Sequence, residues 1–185
     1  MIGYAESYRS VDAADGVVDV ARKLGLVTAG VAAALALSGC ASASTRREPP
    51  APSVRALAVA QEQLGDLLNT FRADQGLPLI KRDAELDAVA EAWSLHLAET
   101  GDLAHNPAYA QLIPTGWSTS GENVGWLDPA ERPLSELPQA LHEAWLDSPT
   151  HRANMTNAAY TAVGLGIAYD PEHGYYVTED FAEYP

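Results

Sequence analysis

The sequence predicts an α+β domain, on three observations. Apolar residues recur at helical spacing in two long runs early in the chain. Two strand-like runs joined by a short turn close it. The stretch between them is rich in Pro, Gly and Ser and holds little regular pattern. Helices first and an antiparallel hairpin last is the arrangement of helices segregated against a small antiparallel sheet. With 185 residues the chain accommodates one ordinary domain and an appendage.

The folded part begins at Val54. Leu57, Leu64, Leu67, Leu68 and Phe71 share one helical face, Ser53 stands where a cap belongs, and Gly76 follows the last apolar residue. A second helix is expected over 84–99, with Leu86, Val89, Ala90, Trp93 and Leu97 on one side and Gly101 as its stop. Residues 106–137 read mainly as loop, with one short strand near Glu122–Trp126. A third helix over 138–147 carries Leu141, Trp145 and Leu146 and ends before Pro149. Strands over Ala162–Tyr169 and Tyr175–Phe181 flank the turn Asp170-Pro171-Glu172-His173-Gly174. No internal repeat is present.

Ahead of this lies a targeting pattern. Arg22-Lys23 precede about 14 apolar or small residues, Leu24 to Leu37, and then Leu37-Ser38-Gly39-Cys40. A basic start, a short apolar run and small residues before a cut are the layout of a secretory signal, and the run is shorter than the roughly 20 residues of a membrane-spanning helix. Leu-Ser-Gly-Cys resembles the bacterial lipobox, so Cys40 is expected to carry a lipid that anchors the exported protein at the cell envelope. Cys40 is the only cysteine, which excludes an internal disulfide. Residues 1–19 are acidic and sit awkwardly before a signal over 20–39. A GTG start codon is read as valine when a frame is over-extended, and the expected translation start is near Val18 or Val20. Residues 40–53 read as the lipidated cysteine and a flexible tether, and 54–185 as the domain. The 13 residues after Cys40 reach at most about 45 Å.

From Cys40 onward the chain has 8 basic and 21 acidic residues, a net −13. Such a surface repels phosphate backbones, and nucleic acid is not an expected partner. Two catalytic motifs fail on their spacing. His142 opens H-E-A-W-L, but Leu146 stands where the second histidine of H-E-x-x-H is required. Gly116-Trp117-Ser118-Thr119-Ser120 ends in Ser, so it is not the G-x-S-x-G elbow. His96 reads as a solvated helix residue and His173 as a turn residue. His105, Glu122 and His151 stand out because all three fall at element edges, in L-A-H-N-P, S-G-E-N-V-G and S-P-T-H-R-A-N-M. Two imidazoles and a carboxylate are able to hold a divalent ion or to act as acid and base. The bland alternative is a buried polar network tying loops to helices. The 45 residues between the two histidines do not themselves bring them together.

In order, L-L-N-T-F-R-A-D-Q-G-L-P-L, A-E-A-W-S-L-H-L-A, A-H-N-P, G-E-N-V-G, A-W-L-D-S-P-T-H-R-A-N-M, Y-T-A-V-G-L-G-I-A-Y and Y-Y-V-T-E-D-F-A resemble the CAP superfamily, in its bacterial branch. That superfamily takes in cysteine-rich secretory proteins, antigen five and plant pathogenesis-related proteins. The resemblance runs from about Leu57 to Ala182 and implies a three-layer α-β-α sandwich with a small antiparallel sheet and an open cleft. It places His105 and His151 at the two cleft histidines, which in the family hold zinc or another divalent cation, and Glu122 at the glutamate of the G-E-N motif. The family's second glutamate falls on Ser148; Glu143 and Asp147 are near it in sequence but not at it. Asn123 and Ser148 complete the expected cleft. Three functions follow. A tethered, non-catalytic monomer would bind a metal, an apolar small molecule or an envelope component in the cleft. A metal-assisted hydrolase would use Glu122 to activate water on an ion held by His105 and His151. A purely structural or protein-interaction domain would use the cluster only for stability.

Overall fold

The computed structural model describes residues 51–185 together with two short N-terminal strands, β1 (Tyr8–Val11) and β2 (Val17–Val18). The expected signal over 20–39, Cys40 and the tether up to residue 50 lie outside the described residues.

Helix α1 (Val54–Asp74) starts where its cap is expected, with Ser53 Oγ accepting from the Ala56 N–H at 3.2 Å. Gly76 follows it at φ 70°, a conformation that costs a residue with a Cβ. After the two-residue strand β3 (Lys81–Arg82), helix α2 (Ala84–Thr100) is capped by Asp83, whose Oδ1 accepts from the Glu85 and Leu86 N–H groups. Gly101 ends α2 in the left-handed conformation, and the His173 ring would lie 2.8 Å from any Cβ there. A one-turn α3 (Tyr109–Leu112), strand β4 (Ser120–Leu127), a 3₁₀ turn over Leu134–Glu136 and α4 (Leu137–Asp147) follow. Pro149 does end α4, yet it also opens α5 (Pro149–Thr156), the helix that carries His151. Proline is favoured at the first helical position, and so polar an eight-residue helix shows no apolar period to be read. Strands β5 (Ala162–Asp170) and β6 (Gly174–Ala182) form the expected hairpin.

The sheet runs β2-β1-β4-β6-β5-β3. Its pairs are antiparallel except β3 with β5, where Lys81 and Arg82 lie parallel to Ala162 and Val163. The small sheet is therefore mixed at one edge, through a pairing too short to leave a pattern in sequence. β6 is central and buried along its whole length. Residues directly opposite in antiparallel strands share a face, so register sorts the two layers. Asn123, Gly125, Glu179, Val177, Leu165 and Ile167 face α1, α4 and α5, where Leu64, Leu68, Leu141, Trp145 and Met155 complete the main core. Glu122, Val124, Asp180, Thr178, Gly164, Gly166 and Ala168 face α2. The α2 backbone lies so close that a Cβ on Gly164 would stand 2.2 Å from the Leu86 carbonyl carbon, and one on Gly166 the same distance from that of Ala90. The architecture is the α-β-α sandwich that the resemblance implies.

Candidate functional site

The loop after α2 delivers His105. Trp93 Nε1, on α2, donates to the Ala104 carbonyl at 3.0 Å and pins the loop against its own helix. The next residue then meets β4: His105 Nδ1 lies 2.7 Å from Glu122 Oε1. The Asn106 N–H donates to the same oxygen at 2.9 Å. Facing a carboxylate oxygen, Nδ1 carries the proton. The Glu122 side chain is only 4% exposed and that of His105 22%, so the imidazole forms the solvent side of the pair. One residue further, Asn106 Oδ1 accepts from the Ala108 N–H and turns the chain into α3.

Asn123 leaves β4 on the opposite face and is fully buried. Its Nδ2 donates to Glu179 Oε2 at 3.1 Å and to the His151 carbonyl at 3.4 Å. Its Oδ1 accepts from Asn154 Nδ2, which also donates to the Glu122 carbonyl. His151 is thus tied to β4 through its backbone, while its ring is buried beside Trp145 with centroids 6.3 Å apart. Ser148 sits half-buried at the junction of α4 and α5, its Oγ 3.3 Å from Thr150 Oγ1. So the structure joins His105 to Glu122 directly, and His151 to Asn123 on the other face. Asn154 is the bridge between the two halves. Arg72 steadies the α5 side: fully buried, it donates to the carbonyls of Pro78, Met155, Asn157 and Tyr160.

Among the described residues, no group of three or more His, Cys, Asp or Glu side chains is placed to hold a metal ion. His105 Nδ1 and Glu122 Oε1 are already committed to each other. A cage made wholly of protein side chains needs more such donors than the described residues bring together. The remaining histidines lie elsewhere. His96 is exposed on α2 against Trp93, and His173 Nδ1 meets the Ala98 carbonyl at 2.8 Å. His142 is buried in α4, edge-on to Phe71, and burial pushes its pKa below the ordinary 6.5.

Two acids were not singled out from the sequence. Glu179 and Asp180 are both fully buried. Burial pushes the Glu179 carboxyl up to about 8, against a smaller lowering by the Asn123 hydrogen bond. Asp180 is also pushed well up, first by burial and then by the facing Glu122. A signal existed: consecutive acids in an otherwise apolar strand must take opposite faces, and helices on both faces bury both.

Beside the His105–Glu122 pair, a groove of about 500 Å³ runs between α2 and the 106–112 segment. Val89, Ala92, Trp93, Pro107 and Leu112 line it, with Asn106 at its polar end. Among the described residues no helix is long and apolar enough to cross a membrane.

Residues 66–181 match the model of the cysteine-rich secretory protein family, CAP. The chain belongs to this family. Solved CAP-like structures agree in fold. An extracellular protein containing an SCP domain from Bacillus anthracis is 25% identical with a TM-score of 0.57, covering 72% of this chain and 45% of its own. An outer surface protein from Borrelia burgdorferi is 16% identical with a TM-score of 0.59, covering 69% of this chain and 94% of its own. Among curated relatives, the uncharacterized protein YkwD of Bacillus subtilis is 26% identical over 144 residues, 74% of this chain and 51% of that protein. The chain thus spans about half the length of that curated relative.

Proposed function

We propose that this CAP domain is an exported, non-catalytic binding module that holds a small, largely apolar ligand in the groove beside His105 and Glu122. The observation that carries this reading is the shared residue Asn106: its backbone N–H braces Glu122, and its side of the loop closes the polar end of the groove. An apolar trough ending in a few oriented polar groups is the usual make-up of a small-molecule site. The hydrolase alternative is less well supported. A general base must reach the proton that it removes, and the Glu122 carboxylate is turned inward, its Oε1 held by two donors. The two structural neighbours, one described as an extracellular and the other as an outer surface protein, support export to the envelope. Cys40 is the proposed site of the lipid anchor, and Cys40→Ser is expected to release the protein from membranes; retention in the membrane fraction would remove the anchor from this reading.

Titration with a fluorescent long-chain fatty acid tests the groove. Saturable binding is expected, weakened at least about tenfold by Val89→Asp, since one charge placed in an apolar site costs well over about 1.4 kcal/mol. Binding that is absent, or that ignores Val89→Asp in a folded protein, would refute the apolar-ligand reading.

A further inference from the structure

Strand β1 lies antiparallel to the far end of β4, with Tyr8, Arg9 and Ser10 opposite Leu127, Trp126 and Gly125. Successive residues of a strand turn their backbone groups alternately to its two sides. The Glu183 N–H donates to the Thr119 carbonyl at 2.9 Å, continuing the β4–β6 ladder and turning the odd-numbered residues of β4 toward β6. The even-numbered ones face the outer edge. There the Glu122 carbonyl accepts from Asn154 Nδ2 and the Val124 carbonyl from Trp145 Nε1, so α5 and α4 cover that half of the edge. Trp126 comes next, and its backbone N–H and C=O turn to Arg9 of β1.

The domain does not need β1 for its core. Every residue of the three core clusters lies at Leu57 or beyond, so the chain from residue 41 onward holds all that folds the domain. Nor does the exported protein keep β1, on the reading that its chain begins at the lipid-bearing Cys40; the inference rests on that reading. The Trp126 end of β4 is then an open strand edge, and such an edge is a template for one more strand.

We propose that residues 125–127 are a docking edge for an extended basic segment of another polypeptide, which adds to the sheet antiparallel to β4. The backbone of Trp126 supplies the donor and the acceptor at its centre. Charge chooses among the segments that could add. The chain from Cys40 onward carries a net −13, and Asp128 follows directly on the edge. The residue that β1 itself sets opposite Trp126 is an arginine. This edge is separate from the groove between α2 and the 106–112 segment, so it does not depend on a ligand there.

The intact mass of the protein extracted from membranes tests the premise. A chain that begins at Cys40 is expected; one that retains residues 8–11 fills its own edge and overturns the inference at that point. The edge is then tested by nuclear magnetic resonance on residues 41–185 in low salt. The probe is a capped peptide with the S-Y-R-S-V of residues 7–11 between two lysines. Saturable amide shifts are expected at Gly125, Trp126 and Leu127, with Val89 and Ala92 in the groove unmoved. N-methylation of the peptide's arginine removes the donor to the Trp126 carbonyl and is expected to weaken binding at least about fivefold. N-methylation of the following serine, whose N–H faces away from β4, is expected to leave it within about threefold. Replacing the arginine by glutamate is expected to cost at least about fivefold in low salt and less in high salt. Shifts absent from residues 125–127, equal effects of the two methylations, or equal binding of the glutamate peptide would each overturn the proposal. So would Trp126 shifts that depend on protein concentration without peptide, since a second copy would then hold the edge.

Discussion

Replacing Glu179 by Gln is expected to stabilise this protein at alkaline pH and to leave it nearly unchanged in acid. The Glu179 carboxyl is fully buried, and burial lifts its pKa from an ordinary 4.5 to about 8. Between those values the unfolded chain releases the proton while the folded one keeps it, so stability falls as pH rises. The loss is about 1.4 kcal/mol per pH unit, or roughly 4–5 kcal/mol by about pH 8, an upper bound for one group. Glutamine never ionises, and its side-chain oxygen is able to accept from Asn123 Nδ2 as Glu179 Oε2 does at 3.1 Å. Its amide N–H₂ lands where Glu179 Oε1 has no partner, which costs about 1–2 kcal/mol. The net expectation is a gain of roughly 2–4 kcal/mol at about pH 8 and a small loss near pH 4.5. Urea unfolding followed by tryptophan fluorescence, at half-unit steps from about pH 4.5 to about 8.5, measures it. Asp180 titrates in both proteins and largely cancels from the difference. Curves for wild type and variant that stay parallel across the range would mean Glu179 is ionised in the native state, and the reasoning from burial would fail.

Three further outcomes are expected. Gly166→Ala drives a methyl to within 2.2 Å of the α2 backbone and is expected to cost about 3 kcal/mol or more, against about 1–2 for Gly76→Ala, which meets nothing within 4 Å but sits at φ 70°; equal melting temperatures for the two would contradict the close contact. Arg72→Met leaves four carbonyls without their donor and is expected to cost about 3 kcal/mol, read as a drop in melting temperature; a shift of under a degree would show that water replaces the guanidinium. Native mass spectrometry with one equivalent of Zn²⁺ is expected to show the same adduct level in wild type and in a folded His105→Ala/His151→Ala double variant. An adduct that needs both histidines would restore the metal site that the family resemblance implies.

The long elements were readable because their physics is local. A 21-residue helix with a capping serine and a terminal glycine, and two nine-residue strands about one turn, announce themselves through period and punctuation. β3 and α5 were not readable, since two paired residues and eight mostly polar ones owe their conformation to β5 and to Arg72 rather than to any pattern of their own. The site divides in the same way. His105 and Glu122 were marked by their loop settings and do meet. His151 was marked equally well, and its backbone carbonyl accepts from Asn123 on β4, a contact that no motif announces. Asp180 escaped notice because it faces Glu122 only through the register of β4 against β6, which neither strand shows alone.

The glycines at 164 and 166 have a consequence for where evolution is free to experiment. With the α2 backbone resting on the sheet, that interlayer has no depth left to hollow out, and a cavity opened there would first require the helix to lift. Room for a ligand is therefore left on the helix's outer flank, where Val89, Ala92 and Trp93 face Pro107 and Leu112 across the groove. The domain behaves as a fixed anvil with its working edge on the rim.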